Sequence, residues 1–384
     1  MSFFRLTHKI SNKYRLALLV STTIVIILFL GLRPKEWAST NNIHWLPDQM
    51  ALEFHSPSIA YVDDLNSLYN RQIPSDFTIQ IPVVPANIDK QGFRPILMVH
   101  NGEDRNQLTI WQWGASIIVM NGNDYDYSMR WPRISGQNAL VVGEQILISV
   151  TSSKLGSRLF INGVLVTELQ NTQLSIPKGH KKLRLILGNS VYGQHNWEGK
   201  IYGLSLNSKA LSTEKVTYYY EKWRNQRNLW LNPSDEPLLL YTFNKHESGF
   251  IIDDTGYNLP LQLPIRLVIL KKTFLSLPWH QFKANLSFFI DAALNLIGFV
   301  PLGATMYYWS SQSLILPRRY EVKLILTFCF FLSLCMEVLQ VWLPHRHSSA
   351  LDLTLNTLGS WLGVLLLGML QIPRAIKSAE SNKK

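Results

Sequence analysis

Two hydrophobic patterns divide the chain. Four apolar runs, at residues 16–32, 286–309, 323–343 and 351–372, go on for whole helices with few polar breaks, and each approaches the ~20 residues that a helix needs to cross hydrocarbon. Between the first run and the second, short β-branched or aromatic stretches alternate with Gly, Asn, Asp and Ser. The stretches 77–83, 108–113, 116–120, 145–150, 157–161, 182–187 and 200–206 read as strands. Asn162-Gly163 joins two apolar strands and is the pair best suited to positive φ in a tight hairpin. Many short strands punctuated by turns predict a two-sheet sandwich. The expected fold class is therefore mixed: an α-helical transmembrane bundle of about four spans plus an all-β jelly-roll sandwich.

Charge orients this arrangement. Arg5, Lys9, Lys13 and Arg15 precede the first run, Arg318, Arg319 and Lys323 separate the second from the third, and Arg374, Lys377, Lys383 and Lys384 follow the fourth. Basic residues gather on the cytoplasmic side, so both termini are expected inside and residues 33–285 outside. A cleavable signal peptide is the competing reading of the first run. With no small-x-small site before Arg33-Pro34-Lys35, a retained anchor is expected. The predicted organisation is a basic cytoplasmic segment (1–15), a membrane helix (16–32), an extracytoplasmic sandwich (33–263), an interfacial segment rich in Leu and Lys (264–282), a three-helix membrane unit (283–373) and a basic cytoplasmic tail (374–384).

The net charge of +11 sits largely at the ends of apolar runs, so it is not read as a nucleic-acid footprint. The only two cysteines, Cys329 and Cys335, are six residues apart in one run. That is roughly 9 Å of helix, too far for a disulfide.

The last hundred residues carry the candidate chemistry. Asp291 and Asn295, and Asp352 and Asn356, are four apart, while Glu337 and Gln340 are three apart, so each pair shares a helix face. Acids within membrane helices are costly and point to a site. With the topology above, Asp291, Glu337 and Asn356 lie roughly 7 to 9 Å below the outer surface and Asn295 ~14 Å down. The loop His345-Arg346-His347-Ser348-Ser349 hangs over them. Arg346 can neutralise Glu337 or Asp352, or hold a phosphate. The plainer readings are helix-to-helix hydrogen bonds for the amides and close packing at Gly298, Gly303 and Gly359. Two His residues two apart make a weak metal site, so no metal and no cofactor is expected.

The middle region resembles the concanavalin A-like or laminin-G-like jelly-roll domains over roughly 77–223, and on to 264 in a wider reading. The resemblance rests on the Asn162-Gly163 hairpin, Leu187-Gly188-Asn189-Ser190, the run from Trp197 to Ile201, and Leu211-Ser212 before Glu214. Tyr241-Thr242-Phe243 and Asp253-Asp254-Thr255-Gly256 look like the first strand of such domains displaced to the end, with closure of the same sandwich left open. Such domains bind glycans or proteins, and some are glucanases. A glucanase needs two carboxylates flanking the scissile bond. Asp124 and Asp126 alternate correctly but read first as a turn, so no ectodomain enzyme is expected.

The membrane part resembles the VanZ-like family. The matching residues, in order, are Asp291, Asn295, Phe299, Pro301 and Gly303; Glu337 and Gln340; Arg346 and Ser349; and Asp352, Asn356 and Gly359. The resemblance implies a bacterial plasma-membrane protein of the cell envelope, associated with glycopeptide resistance or envelope polysaccharide, with no settled reaction. The expected partners are a membrane lipid or lipid-linked saccharide and an envelope glycan or protein. An integral membrane enzyme with Glu337 or Asp352 as acid or base and Arg346 on a phosphoryl or acyl group is the alternative, and a transporter a third.

Overall fold

The structure is a computed structural model. It describes all residues except 1, 33–38, 66–74, 90–91, 124–128, 179–181, 194, 226–236, 273, 278–285, 314–316, 344–347 and 382–384. The described helices are α1 (Ser2–Leu32), α2 (Thr213–Asn225), α3 (Leu286–Ser313), α4 (Arg318–Gln340) and α5 (Ala350–Ser381). Two compact units divide the chain: Ala38–Lys271, and Met1–Trp37 with Lys272–Lys384.

The first unit is a sandwich of two antiparallel sheets. One runs Ile43–Leu46, Ala51–Phe54, Gly199–Ile201, Phe77–Pro85, Ile146–Ser153, Gly156–Ile161 and Val164–Gln170. Leu204–Asn207 also pairs with Phe77–Pro85 and carries Pro237–Tyr241 on its far side. The other runs His246–Glu247, Phe250–Ile251, Leu261–Gln262, Ala60–Val62, Arg184–Leu187, Arg94–His100, Leu108–Trp113, Ser116–Asn121 and Arg133–Gly136. Alternation builds the core: Phe77, Ile79, Ile81 and Val83 face the opposite sheet's Val99, Ile110, Val119 and Leu185. The displaced strand closes the same sandwich, since Leu206 pairs with Leu239 and Leu204 with Tyr241. At the hairpin, Asn162 and Gly163 both take positive φ, 52° and 75°, as a tight turn between right-twisted strands requires.

Each sheet is also covered on its outer side. α2 buries Val216, Tyr219 and Trp223, one face of its helix. Val216 and Tyr219 pack with Phe160 and Leu211, and Trp223 with Leu147 and Leu240. Over the second sheet, Leu267 packs with Ile59, Met98, Trp111 and Ile186. Leu267 lies in the first part of the segment 264–282 expected at the membrane interface. Residues 264–271 belong to the sandwich because their backbone is paired there: Asn41 N–H donates to Ile265 O at 3.1 Å and Leu267 N–H to Ser39 O at 3.0 Å. Lys271 Nζ then donates to Asp104 Oδ1 at 3.0 Å, beside the Tyr192 hydroxyl on Oδ2 at 2.7 Å and His100 Nε2 at 3.0 Å. Burial works against ionisation of Asp104, but the hydrogen bonds from His100, Tyr192 and Lys271 outweigh it and hold the carboxyl well below the usual carboxylate range. Asp124 and Asp126 lie outside the described residues.

The second unit contains α1, α3, α4 and α5, the helices long and apolar enough to cross a membrane. Ile27 of α1 clusters with Phe299, Leu302, Met306, Ile325, Cys329, Met336 and Val364. Small residues bring α3 and α5 together: a Cβ on Gly303 would meet Ser360 O, one on Gly359 would meet Leu296 O, and one on Gly363 would meet Val300 O. Gly298, expected at a close approach, faces open space instead, because it lies on the side of α3 turned away from α5. Cys329 and Cys335 are both free thiols.

Candidate functional site

Ser333, Glu337 and Gln340 fall at spacings of four and three on α4 and are all buried, so this apolar helix carries one polar stripe. Gln340 Nε2 donates to Gly31 O at 3.0 Å, tying α4 to the end of α1. Glu337, only 1% exposed, accepts the Ser349 backbone N–H on Oε2 at 2.7 Å. Asn356 Nδ2 donates to Ser333 Oγ at 2.9 Å.

The start of α5 explains much of this geometry. A helix leaves its first N–H groups without intrahelical partners and concentrates partial positive charge there. Here they are engaged in turn. Ser349 N–H meets Glu337, Ala350 N–H donates to Ser276 O at 3.1 Å, and the Leu351 and Asp352 N–H groups reach Ser349 Oγ at 3.2 and 3.4 Å. Ser349-Ala-Leu-Asp352 is an N-cap with an acid three residues on, the spacing of a capping box. The segment around Ser276 runs parallel to Ser349. Ser276 N–H and Oγ both donate to Ser348 O at 2.9 Å, and Leu275 N–H donates to Ser348 Oγ at 3.1 Å. Glu337 and Ser349 are thus parts of a buried helix cap, where backbone groups must be satisfied within the protein.

Of the residues expected at the site, the structure connects Glu337 with Ser349 and places Asn356 one turn of α4 away, through Ser333. Asp352 is half-buried in the first turn of α5. Asn295 is half-buried and Asp291 exposed on α3, and among the described residues no hydrogen bond links either to the α4–α5 cluster. Arg346, His345 and His347 lie outside the described residues. Ser333 and Ser276 are the participants that sequence reasoning passed over, while Ser348 figured there only as part of the loop. Ser333 carried a readable signal, four residues before Glu337 in an apolar run; Ser276, joined to α5 across some seventy intervening residues, carried none.

Asn356 Oδ1 is, among the described residues of the helical unit, the buried side-chain polar atom with no hydrogen bond. A buried acceptor in that state is costly.

Four long apolar helices and an antiparallel β-sandwich define a multi-pass membrane protein with a folded all-β domain between its first and second spans. Residues 238–371, which include α3 and α4 and most of α5, match the VanZ/LLP1 family model. The match begins in the last strand of the first sheet. No curated protein matches the chain. Among solved structures, the CBM40 domain of Ruminococcus gnavus IT-sialidase bound to alpha2,3 sialyllactose is 15% identical with a TM-score of 0.36, covering 44% of this chain and 95% of that one. NanB sialidase of Streptococcus pneumoniae is 17% identical with a TM-score of 0.33, covering 40% and 25% respectively. The binding domain of Botulinum neurotoxin DC in complex with rat synaptotagmin II is 11% identical with a TM-score of 0.36, covering 48% and 45%. Likenesses at this level carry no ligand over to this chain.

Proposed function

We propose that this protein is an accessory binding protein of the bacterial cell envelope, resident in the plasma membrane with residues 33–285 outside the cytoplasm. In this reading the sandwich engages a glycan or an envelope protein, and the α4–α5 region receives the head group of a lipid or lipid-linked saccharide from the outer leaflet. Asn356 carries the second half of the proposal. Among the described residues its buried Oδ1 accepts from no donor, as suits a hydroxyl or amine arriving with a ligand. Arg346 supplies the cation for a phosphate and Asp352 orients it. Asp291 and Asn295 line the approach along α3. A binding role is favoured over acid–base catalysis because Glu337 already accepts a backbone N–H at the α5 cap, and protonating it would weaken that cap.

Native mass spectrometry of the protein released from detergent tests the reading. Wild type is expected to carry a phospholipid or isoprenoid-phosphate adduct that Arg346→Ala loses while still inserting in the membrane. Equal adducts on both proteins would overturn the head-group assignment.

A further inference from the structure

The sandwich covers the middle of both outer surfaces with its own chain, α2 on one sheet and the Leu267 segment on the other. At the turn joining Leu108–Trp113 to Ser116–Asn121 the second sheet carries a different surface. Trp113 is 41% exposed, and among the described residues of this unit it is the one exposed tryptophan. Phe93 packs against it with ring centroids 4.6 Å apart and itself meets the buried Trp111 edge-on at 5.6 Å.

This indole is held on a rigid mount. Gln112, next to it in sequence, is fully buried. Its Nε2 donates to Asn87 O at 2.6 Å and to Gly114 O at 2.9 Å, while its Oε1 accepts Trp197 Nε1–H at 2.7 Å. The backbone on both sides of Trp113 is therefore fixed before any ligand arrives, which lowers the ordering cost of binding. An exposed aromatic on a fixed support is what a recognition surface uses, since it offers a large contact area without conformational loss.

The rim says what kind of ligand fits. Ser116 lies directly opposite Trp113 across the hairpin. Its Oγ donates to Gln137 Oε1 at 3.1 Å and accepts the Asn138 N–H at 3.4 Å. Gln137 and Asn138 are exposed. Ser116 is itself buried and holds these two residues in place, so the apolar plate is bordered by uncharged amide groups that both donate and accept hydrogen bonds. A hexose ring has the matching surface: a face of C–H bonds for the indole and a rim of hydroxyls for the amides. None of the described side chains named here carries a charge to complement a phosphate or carboxylate.

We infer that Trp113, backed by Phe93 and bordered by Ser116, Gln137 and Asn138, binds a neutral hexose unit of an envelope glycan. The inference rests on the reading of the sandwich as a glycan-binding domain and names its site. The test uses the full chain in lipid nanodiscs on an array of neutral and acidic oligosaccharides, followed by calorimetry with the best ligand. Wild type is expected to bind neutral hexose oligosaccharides, Trp113→Ala at least tenfold more weakly, Trp113→Phe only a few-fold more weakly, and Gln137→Ala at least threefold more weakly. Should Trp113→Ala melt early, Gln137→Ala decides. Neutral-glycan binding that either well-folded alanine variant leaves within twofold of wild type, or binding of acidic glycans alone, overturns the site while leaving the glycan reading intact. A wild-type protein that binds no glycan overturns both.

Discussion

Replacing Glu337 probes the α5 cap directly. Its Oε2 accepts the Ser349 N–H at 2.7 Å in surroundings that leave the side chain 1% exposed. A hydrogen bond to a charged partner contributes about 1.5 to 3 kcal/mol, and a negative charge at a helix N-terminus adds roughly 0.3 to 2 kcal/mol. Glu337→Ala removes both and leaves the Ser349 N–H buried without its acceptor, so a loss of about 2 to 4 kcal/mol is expected. Glu337→Gln keeps an amide oxygen in the same place and forfeits only the charge, for a loss of about 1 kcal/mol. Thermal unfolding in a single detergent, followed by intrinsic fluorescence, orders the three proteins. The expected order of melting temperature is wild type, then Glu337→Gln, then Glu337→Ala. If Glu337→Ala melts with wild type, the carboxylate does not hold the cap. If Glu337→Gln falls as far as Glu337→Ala, charge and not acceptor geometry is what α5 needs.

Two further outcomes follow from contacts elsewhere. Asp104 has its folded-state pKa depressed by His100, Tyr192 and Lys271, so its contribution to stability is present above the unfolded carboxylate value, near ~4, and is lost as pH falls through that value toward the folded one; Asp104→Asn should lower the melting temperature at pH 7 and flatten its decline in acid, and an unchanged acid limb would refute the linkage. Gly359→Ala and Gly298→Ala make the same gain in helix propensity, up to about 1 kcal/mol, but only at Gly359 would the new methyl strike the neighbouring helix; Gly359→Ala should melt lower than wild type and Gly298→Ala should not, and equal melting of the two variants would show that α3 and α5 do not pack through Gly359.

Much of the candidate site was legible one helix at a time. The spacing of Glu337 and Gln340 puts both on one buried face of α4, and the strands read at 108–113 and 116–120, observed at Leu108–Trp113 and Ser116–Asn121, follow from alternation and turn residues alone. Other strands escaped. Arg94–His100 is buried along its whole length, so no period of two marks it, and Ala60–Val62 is three residues long. The pair Ser349 and Asp352 suggested ligand chemistry by composition, whereas in the fold Ser349 caps the helix on which Asp352 sits.

The amino-acid pattern alone determined the number of membrane-crossing helices, the all-β character of the middle region and the faces on which the polar residues of each helix lie, because hydrophobic periodicity is a property of neighbours in sequence. Only the tertiary structure decided what those residues touch. Residues 265–267 pair with strand-like backbone more than two hundred positions earlier, Ser276 caps a helix that begins at Ala350, and Gln340 reaches the end of α1. Each is a backbone group satisfied by a distant segment, and because any buried N–H can donate to any acceptor and any buried C=O can accept from any donor, nothing local in the sequence specifies which segment supplies the partner.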